Sequence, residues 1–213
     1  LNKLSIGATS TDARVFTSVS GGGISFTDGF YNSSVGSQTF NVQIGVDGST
    51  VNFSNLSTGL VSFNDAFYLN ANTANFGGTG NLVINGIAQG TGGISMVGSG
   101  NLSLTGANTY TGTTAVSAGV LELNRTGGST IPTTNSATVS SGGKLHIRTD
   151  QELATLTLDG GLVEVDSGVT VTVINLQNTG ASSILGTGNV IIKNSLTITS
   201  GTLTTNGNLK LKG

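Results

Sequence analysis

Cysteine and tryptophan are absent from this chain of 213 residues, and proline, methionine and histidine occur once each. Without cysteine, neither a disulfide nor a thiolate metal site can hold the fold. A single proline, Pro132, and glycines with no period of three exclude a collagen-type helix. Charge is also scarce: charged residues make up 8% of the chain, against roughly 25% in an ordinary soluble domain. The net charge of −2 provides no basic stripe for a phosphate backbone, so nucleic acid is not an expected partner. No apolar run approaches the roughly 20 residues that cross a bilayer, so no transmembrane segment is expected. Neither a Gly-x-x-x-x-Gly-Lys loop nor the Gly-Gly-x-Gly-x-Asp repeat of calcium-binding β-rolls occurs, and no cofactor or metal is expected. Disorder is excluded as well, because apolar residues still amount to 36% and fall at regular places.

What remains is glycine (34 residues), serine, threonine and asparagine, interrupted by short alternating apolar runs. The clearest are Leu102-Ser-Leu104, Val120-Leu-Glu-Leu123, Leu145-His-Ile147, Leu156-Thr-Leu158, Leu196-Thr-Ile198 and Leu209-Lys-Leu211. Alternation at period two puts every second side chain on one face, and each run is too short to bury that face alone. Only stacking one strand on the next gives the leucines a core. Val83, Leu102, Leu121 and Leu145 follow at about one coil of a parallel β-helix, roughly 20 residues. Corners at Asn85-Gly86, Gly92-Gly93, Gly160-Gly161 and Asn206-Gly207 are expected to supply positive φ. The same dipeptides suit antiparallel hairpins, so the recurring spacing, not the turns, favours a solenoid. The expected fold is all-β, a parallel β-helix. Its last strand should point Leu209 and Leu211 inward, with Lys210 and Lys212 outside.

Two regions differ in composition. All eight phenylalanines precede residue 77, and Tyr110 is the one tyrosine beyond it. Within residues 1–76 the chain matches itself at a shift of about 37: Ile24-Ser-Phe-Thr-Asp-Gly-Phe-Tyr31 lies over Val61-Ser-Phe-Asn-Asp-Ala-Phe-Tyr68, with five of eight positions identical. Read as two coils, this repeat places Phe26 and Tyr31 at positions equivalent to Phe63 and Tyr68. Asp28 and Asp65, which recur with it, are expected to close turns. Residues 77–213 carry the Leu-x-Leu strands instead. The chain opens Leu1-Asn-Lys3 and stops mid-pattern at Lys212-Gly213, so one continuous solenoid segment of a longer protein is expected.

One stretch resembles a known family. Leu102-Ser-Leu-Thr-Gly-Ala-Asn-Thr-Tyr-Thr-Gly112, within Gly98–Leu123, resembles the autotransporter-associated β-strand repeat of bacterial secreted and surface proteins. Gly90-Thr-Gly-Gly-Ile94 looks like its lead-in and Ser136–Ile147 like its following strand, while Met96 stands where the family often has lysine. The resemblance implies a right-handed parallel β-helix exported to the bacterial cell surface, serving as a stalk or adhesin.

Signs of chemistry are few. Acid–base catalysis needs at least two groups around one substrate, and the ten acids are scattered. One cluster stands out. With Leu145 and Ile147 inward, Lys144, His146 and Arg148 share the outer face; Glu122 lies one strand back, and Glu164 and Asp166 one strand on. The outside then shows acid, base, acid on successive rungs, either a surface charge ladder or a polysaccharide-binding or -cleaving patch. Four Thr-x-Thr pairs, from Thr155/Thr157 to Thr202/Thr204, are separated by about 15, 27 and 5 residues and cannot align into an ice-binding face. The expected protein is therefore a non-enzymatic, extracellular stalk or adhesive surface. The alternatives are the polysaccharide-active β-helix and a self-assembling filament subunit. Host or environmental glycans or proteins, and end-to-end self-association, are the partners such an architecture suggests.

Overall fold

A computed structural model describes residues 1–7, 12–18 and 21–212. Among these, every ladder between strands is parallel, and a single bridge between Ser140 and Gly160 is antiparallel. The chain winds as a β-solenoid of about ten turns, with one sheet of eleven strands, a second of ten and a third of four. Each of the early coils visits the first, second and third side in that order. The antiparallel alternative is thereby excluded, for the reason the spacing suggested: a coil of near-constant length returns each strand alongside its predecessor pointing the same way.

Inward columns build the core. On the second sheet Leu82, Leu102, Leu121, Leu145, Val163 and Ile184 stack in direct register, each one coil on from the last. The longest of these coils carries the Pro132 loop between Gly119–Leu123 and Gly143–Ile147. Leu102, Leu104, Leu121, Leu123, Leu145, Ile147, Val163 and Val165 are all buried, as their alternation required. Val83, however, is not in that column: Leu82 is, and Val83 pairs with Ser103 on the outer face. In Leu82-Val-Ile84 all three residues are apolar, so alternation could not tell which pair faced inward.

The aromatic half follows a different period from the one expected. Phe30, Phe53 and Phe76 stack at even steps of a single coil and continue into Met96, Val116, Val139 and Leu158. Phe40 and Phe63 stack beside them on the second sheet, ring centroids 5.1 Å apart and 23° from parallel, and Phe53 meets Phe67 edge-on at 5.1 Å. Phe26 belongs to the third sheet and Phe63 to the second; Tyr31 lies on the first and Tyr68 on the third. The match of 24–31 to 61–68 is therefore not two coils. It spans one whole coil and two further sides, so it superposes one side of the solenoid on another. The coil repeat is visible as Phe30-Tyr-Asn-Ser-Ser-Val-Gly36 over Phe53-Ser-Asn-Leu-Ser-Thr-Gly59.

Corner glycines also act differently from expectation. Of the four pairs, only Gly160 has positive φ, at 77°. At Gly86 and Gly92 a Cβ would run into the carbonyl oxygens of Asp65 and Asn72 on the preceding coil. Close stacking, not backbone handedness, demands glycine there. Inside one corner Asn32 and Asn55 form a buried ladder: Asn32 Nδ2 donates to Asn55 Oδ1 at 2.9 Å, and Asn55 Nδ2 donates to the carbonyls of Gly59 and Asn81. These amides satisfy turn carbonyls that would otherwise be buried without partners.

Sides change along the stack. The third sheet comprises Ile24–Phe26, Ile44–Val46, Phe67–Asn70 and Ala88–Gly90. Past it, buried Tyr110 fills that side, its hydroxyl 2.7 Å from Thr114 Oγ1. From residue 151 onward single long strands, Gln151–Asp159, Thr170–Asn178 and Asn189–Ile198, turn the corner themselves and cover two sides. On the last rung Leu209 and Leu211 extend the Val190 and Ile192 columns, but Leu211 is 65% exposed where a buried position was expected.

Two outcomes test this architecture. Leu121→Ala should cost about 2–5 kcal/mol in denaturant unfolding, the range for buried leucine truncation. Deleting residues 53–75 removes one whole coil and should leave a cooperatively folded β-solenoid by circular dichroism. Deleting residues 31–67 joins two different sides and should abolish the cooperative transition.

Candidate functional site

The charged patch is assembled by three consecutive strands of the second sheet, Gly119–Leu123, Gly143–Ile147 and Leu162–Val165. Because their leucines, isoleucine and valines point inward, Glu122, His146 and Glu164 fall opposite one another on the outer face. Arg148 and Asp166 follow their strands and are held by backbone bonds to the carbonyls of Leu123 and Ile147 on the preceding coil. All six residues named from the sequence come together.

Each base meets an acid. Lys144 Nζ donates to Glu164 Oε2 at 2.6 Å, and His146 Nε2 to Asp166 Oδ1 at 2.7 Å. Arg148 bridges Asp166 Oδ2 at 3.4 Å and Glu122 Oε2 at 3.8 Å, while His146 Nδ1 lies 3.7 Å from Glu122 Oε1. His146 and Glu122 are mostly covered, with side chains 16% and 17% exposed, whereas Arg148 is open to solvent. The hydrogen bond from His146 holds the Asp166 carboxyl below its usual range, with partial burial opposing. The bond from Lys144 does the same for Glu164.

Within this set every acid faces a base and every base an acid. A groove of about 430 Å³ beside the patch takes in Lys144, Leu162, Ser183 and Leu185 with glycines from two corners, but His146, Glu122, Arg148 and Asp166 stand outside it. A general acid–base pair flanking a substrate in one concavity is not formed. Among the described residues no group of three His, Cys, Asp or Glu side chains is placed to hold a metal ion. What the arrangement does supply is register: a slip of one residue would set these charges against the core. Of the two recurring aspartates, Asp65 accepts from the amide of the next residue, Ala66, at 2.7 Å, a contact that does not span a turn.

Alternation did not reveal a second outer column. Asn64 Nδ2 donates to Asn41 Oδ1, Asn85 Nδ2 to Asn64 Oδ1, and Thr105 Oγ1 to Asn85 Oδ1, at 2.8–2.9 Å each. Its signal is asparagine recurring at one coil length just beyond a strand end.

The coil that precedes the charged patch decides the comparison with known proteins. Leu102 and Leu104 face inward; Gly106 and Gly112 pass too close to Gly86 and Gly92 of the preceding coil for any side chain. Buried Asn108 accepts from the Ala88 amide and donates to the carbonyls of Gly106 and Thr130. Tyr110 packs beneath them. Residues 96–123 match the passenger-associated-transport-repeat family. The matched stretch is one coil and the first two strands of the next, and the β-solenoid around it is the fold typical of autotransporter passengers. The ordered string of the motif thus encodes how a coil closes: Leu102 and Leu104 serve columns, Gly106 and Gly112 corners, and Asn108 the buried amide bonds. A passenger repeat implies export to the cell surface or beyond. No curated protein and no solved structure matches the chain.

The pH dependence follows from the two carboxylates. Their folded pKa values are depressed, so their contribution is complete above the unfolded carboxylate range near pH 4 and is lost as pH falls through the folded values. Asp166→Asn should therefore shrink the fall in melting temperature between about pH 5 and pH 2 relative to the parent protein, measured by thermal scans across that range.

Proposed function

We propose that this chain is an exported, non-enzymatic passenger segment whose β-solenoid acts as a rigid spacer and adhesive surface. One observation carries the reading. The passenger repeat is spliced without a break into a stack whose most concentrated charges are spent on one another across rungs. A hydrolase on such a scaffold needs an acid and a base left free around a bound sugar. Here the lone histidine is committed to Asp166 and lies outside the adjacent groove. Rigidity comes from the ladders: each coil is hydrogen-bonded to both neighbours along two or three sides, so the stack resists bending over its length.

The test pairs adhesion with turnover. Beads coated with the chain should be retained on bacterial or host cell layers under flow, and incubation with a pectin-like polysaccharide should release no new reducing ends. Release that disappears on His146→Ala or Lys144→Ala would overturn the reading in favour of a polysaccharide-cleaving β-helix.

A further inference from the structure

The third sheet has an outer face unlike the others. Its outward column runs Ser25, Gly45, Tyr68, Gln89, each in register with the next. Glycine at 45 puts no side chain between Ser25 and the tyrosine, and only the rotatable Ser25 hydroxyl leans over it; a hollow of about 290 Å³ lies there, bounded by Ser25, Gln43, Gly45, Asp47, Tyr68 and Asn70. Another of about 260 Å³ follows on the next coils of the same face, with Asn64, Asp65, Ile87 and Gln89 among its walls. Each falls just below the range for ligand clefts, about 300–1,000 Å³, as a shallow sugar subsite does beside a deep pocket.

Tyr68 is the aromatic side chain left available. Seven of the phenylalanines are fully buried, and Phe16 stacks on Phe40. Tyr110 is buried, and the Tyr31 ring is covered by the Lys3 ammonium 4.2 Å from its centroid. Tyr68 is half-buried and, among the described residues, has neither a ring nor a cation against it.

Beside it the chain makes a turn. Asn70 is the one non-glycine residue with positive φ, 53°, among the described residues. Its Nδ2 donates to Asp47 Oδ1 at 2.7 Å and reaches the Val46 carbonyl at 3.3 Å, and Asn72 Nδ2 donates to that same carbonyl at 2.7 Å. Asparagine tolerates this left-handed turn conformation. The Asn70 side-chain amide holds the Asp47 carboxylate by one oxygen, leaving Oδ2, the Tyr68 hydroxyl and the Gln43 side-chain amide without a partner among the described residues.

We propose that the face around Tyr68 is a binding site for neutral oligosaccharides. This deepens the adhesive reading, on which it rests, by naming the ligand class and the residues. The apolar face of a pyranose ring stacks on the tyrosine, whose ring is apolar and whose tip is polar. Hydroxyls at the sugar's edge donate to Asp47 Oδ2 and exchange hydrogen bonds with Asn70 and Gln43. The lining holds one carboxylate and no lysine or arginine, so a uronate or sulfated chain is disfavoured. A wholly apolar ligand would strand the amides and the carboxylate. Two hollows on successive coils suit an extended oligosaccharide over a single sugar.

Calorimetry and tyrosine emission, unobscured because the chain lacks tryptophan, can follow hexasaccharides of β-1,4-linked glucose, mannose and galactose, with a galacturonate hexamer as the anionic comparator. At least one neutral hexamer should bind. Tyr68→Ala should weaken that binding by about tenfold or more, as truncation of an aromatic anchor does, while Tyr68→Phe and Arg148→Ala retain it. Gly45→Ala, which adds a methyl to the floor of the hollow and displaces the rotatable Ser25 hydroxyl, should weaken it without lowering the melting temperature. The site is overturned if no neutral hexamer binds, if Tyr68→Ala and Gly45→Ala both leave binding intact, or if galacturonate binds best. Cell retention without any hexamer binding would overturn the site and leave the adhesive reading in place. Tyr68-dependent binding by a chain that no cell layer retains would support the site and overturn that reading.

Discussion

The parallel backbone ladder between successive coils is the constraint on which everything else depends. It sets each residue about 4.8 Å from its counterpart one coil away, so a side chain is packed mainly against whatever occupies its own position in the next turn. Like must therefore tolerate like. Phenylalanine on phenylalanine, leucine on leucine and asparagine on asparagine all satisfy this rule, and the columns through Phe53, Leu121 and Asn64 are its result. Repeated charge does not satisfy it, because like charges directly opposite destabilise a sheet. The 8% charge of the chain follows from that, as does the alternation of sign where charges do stack.

Coil length is the variable the ladder leaves open. In the aromatic half the column from Phe30 to Phe53 to Phe76 keeps an even step, although the coil from Ile24 to Ile44 is shorter and the one from Leu4 to Phe30 longer, and the third side is a true strand. Later coils vary in length: the one from Leu121 to Leu145 is longer than the one from Leu145 to Val163. Their long strands bend around the corner instead of forming a third sheet. The core changes with it, from interlocked phenylalanine rings to branched aliphatic side chains, without any break in the first two sheets. Extra residues are shed at corners, most visibly around Pro132, where they do not disturb register on either side.

Inside and outside are thus nearly independent. The passenger repeat encodes corners and inward columns, and it constrains the outer face little: Ser103, Ala115, Val120 and Glu122 are among its half-buried outward residues. A surface so loosely tied to the fold can carry a ladder of paired acids and bases on one side and an aromatic, amide-rich hollow on another. Binding chemistry is then free to vary without cost to the core.

Alternation along a strand is local, so it could be read directly. The inward leucines, the outward Glu122, His146 and Glu164, and the acid–base–acid order were legible because consecutive Leu-x-Leu strands are easily aligned. Where all three residues of a strand are apolar, as in Leu82-Val-Ile84, alternation was silent and the register slipped by one. Which sides of the solenoid meet depends on coil length, a property of the closed turn and of no single strand. The match between 24–31 and 61–68 therefore looked like a repeat of coils and proved to superpose different sides. For the same reason the hollow at Tyr68 was not legible: Gly45, Asp47 and Tyr68 are neighbours only because the coil between them closes at the length it does. Strands, their inward faces and their stacking thus follow from the order of residues, because alternation and spacing are properties of neighbouring positions. Which outward side chains share a surface was set by closure of the turn, which brings together positions that no local pattern connects.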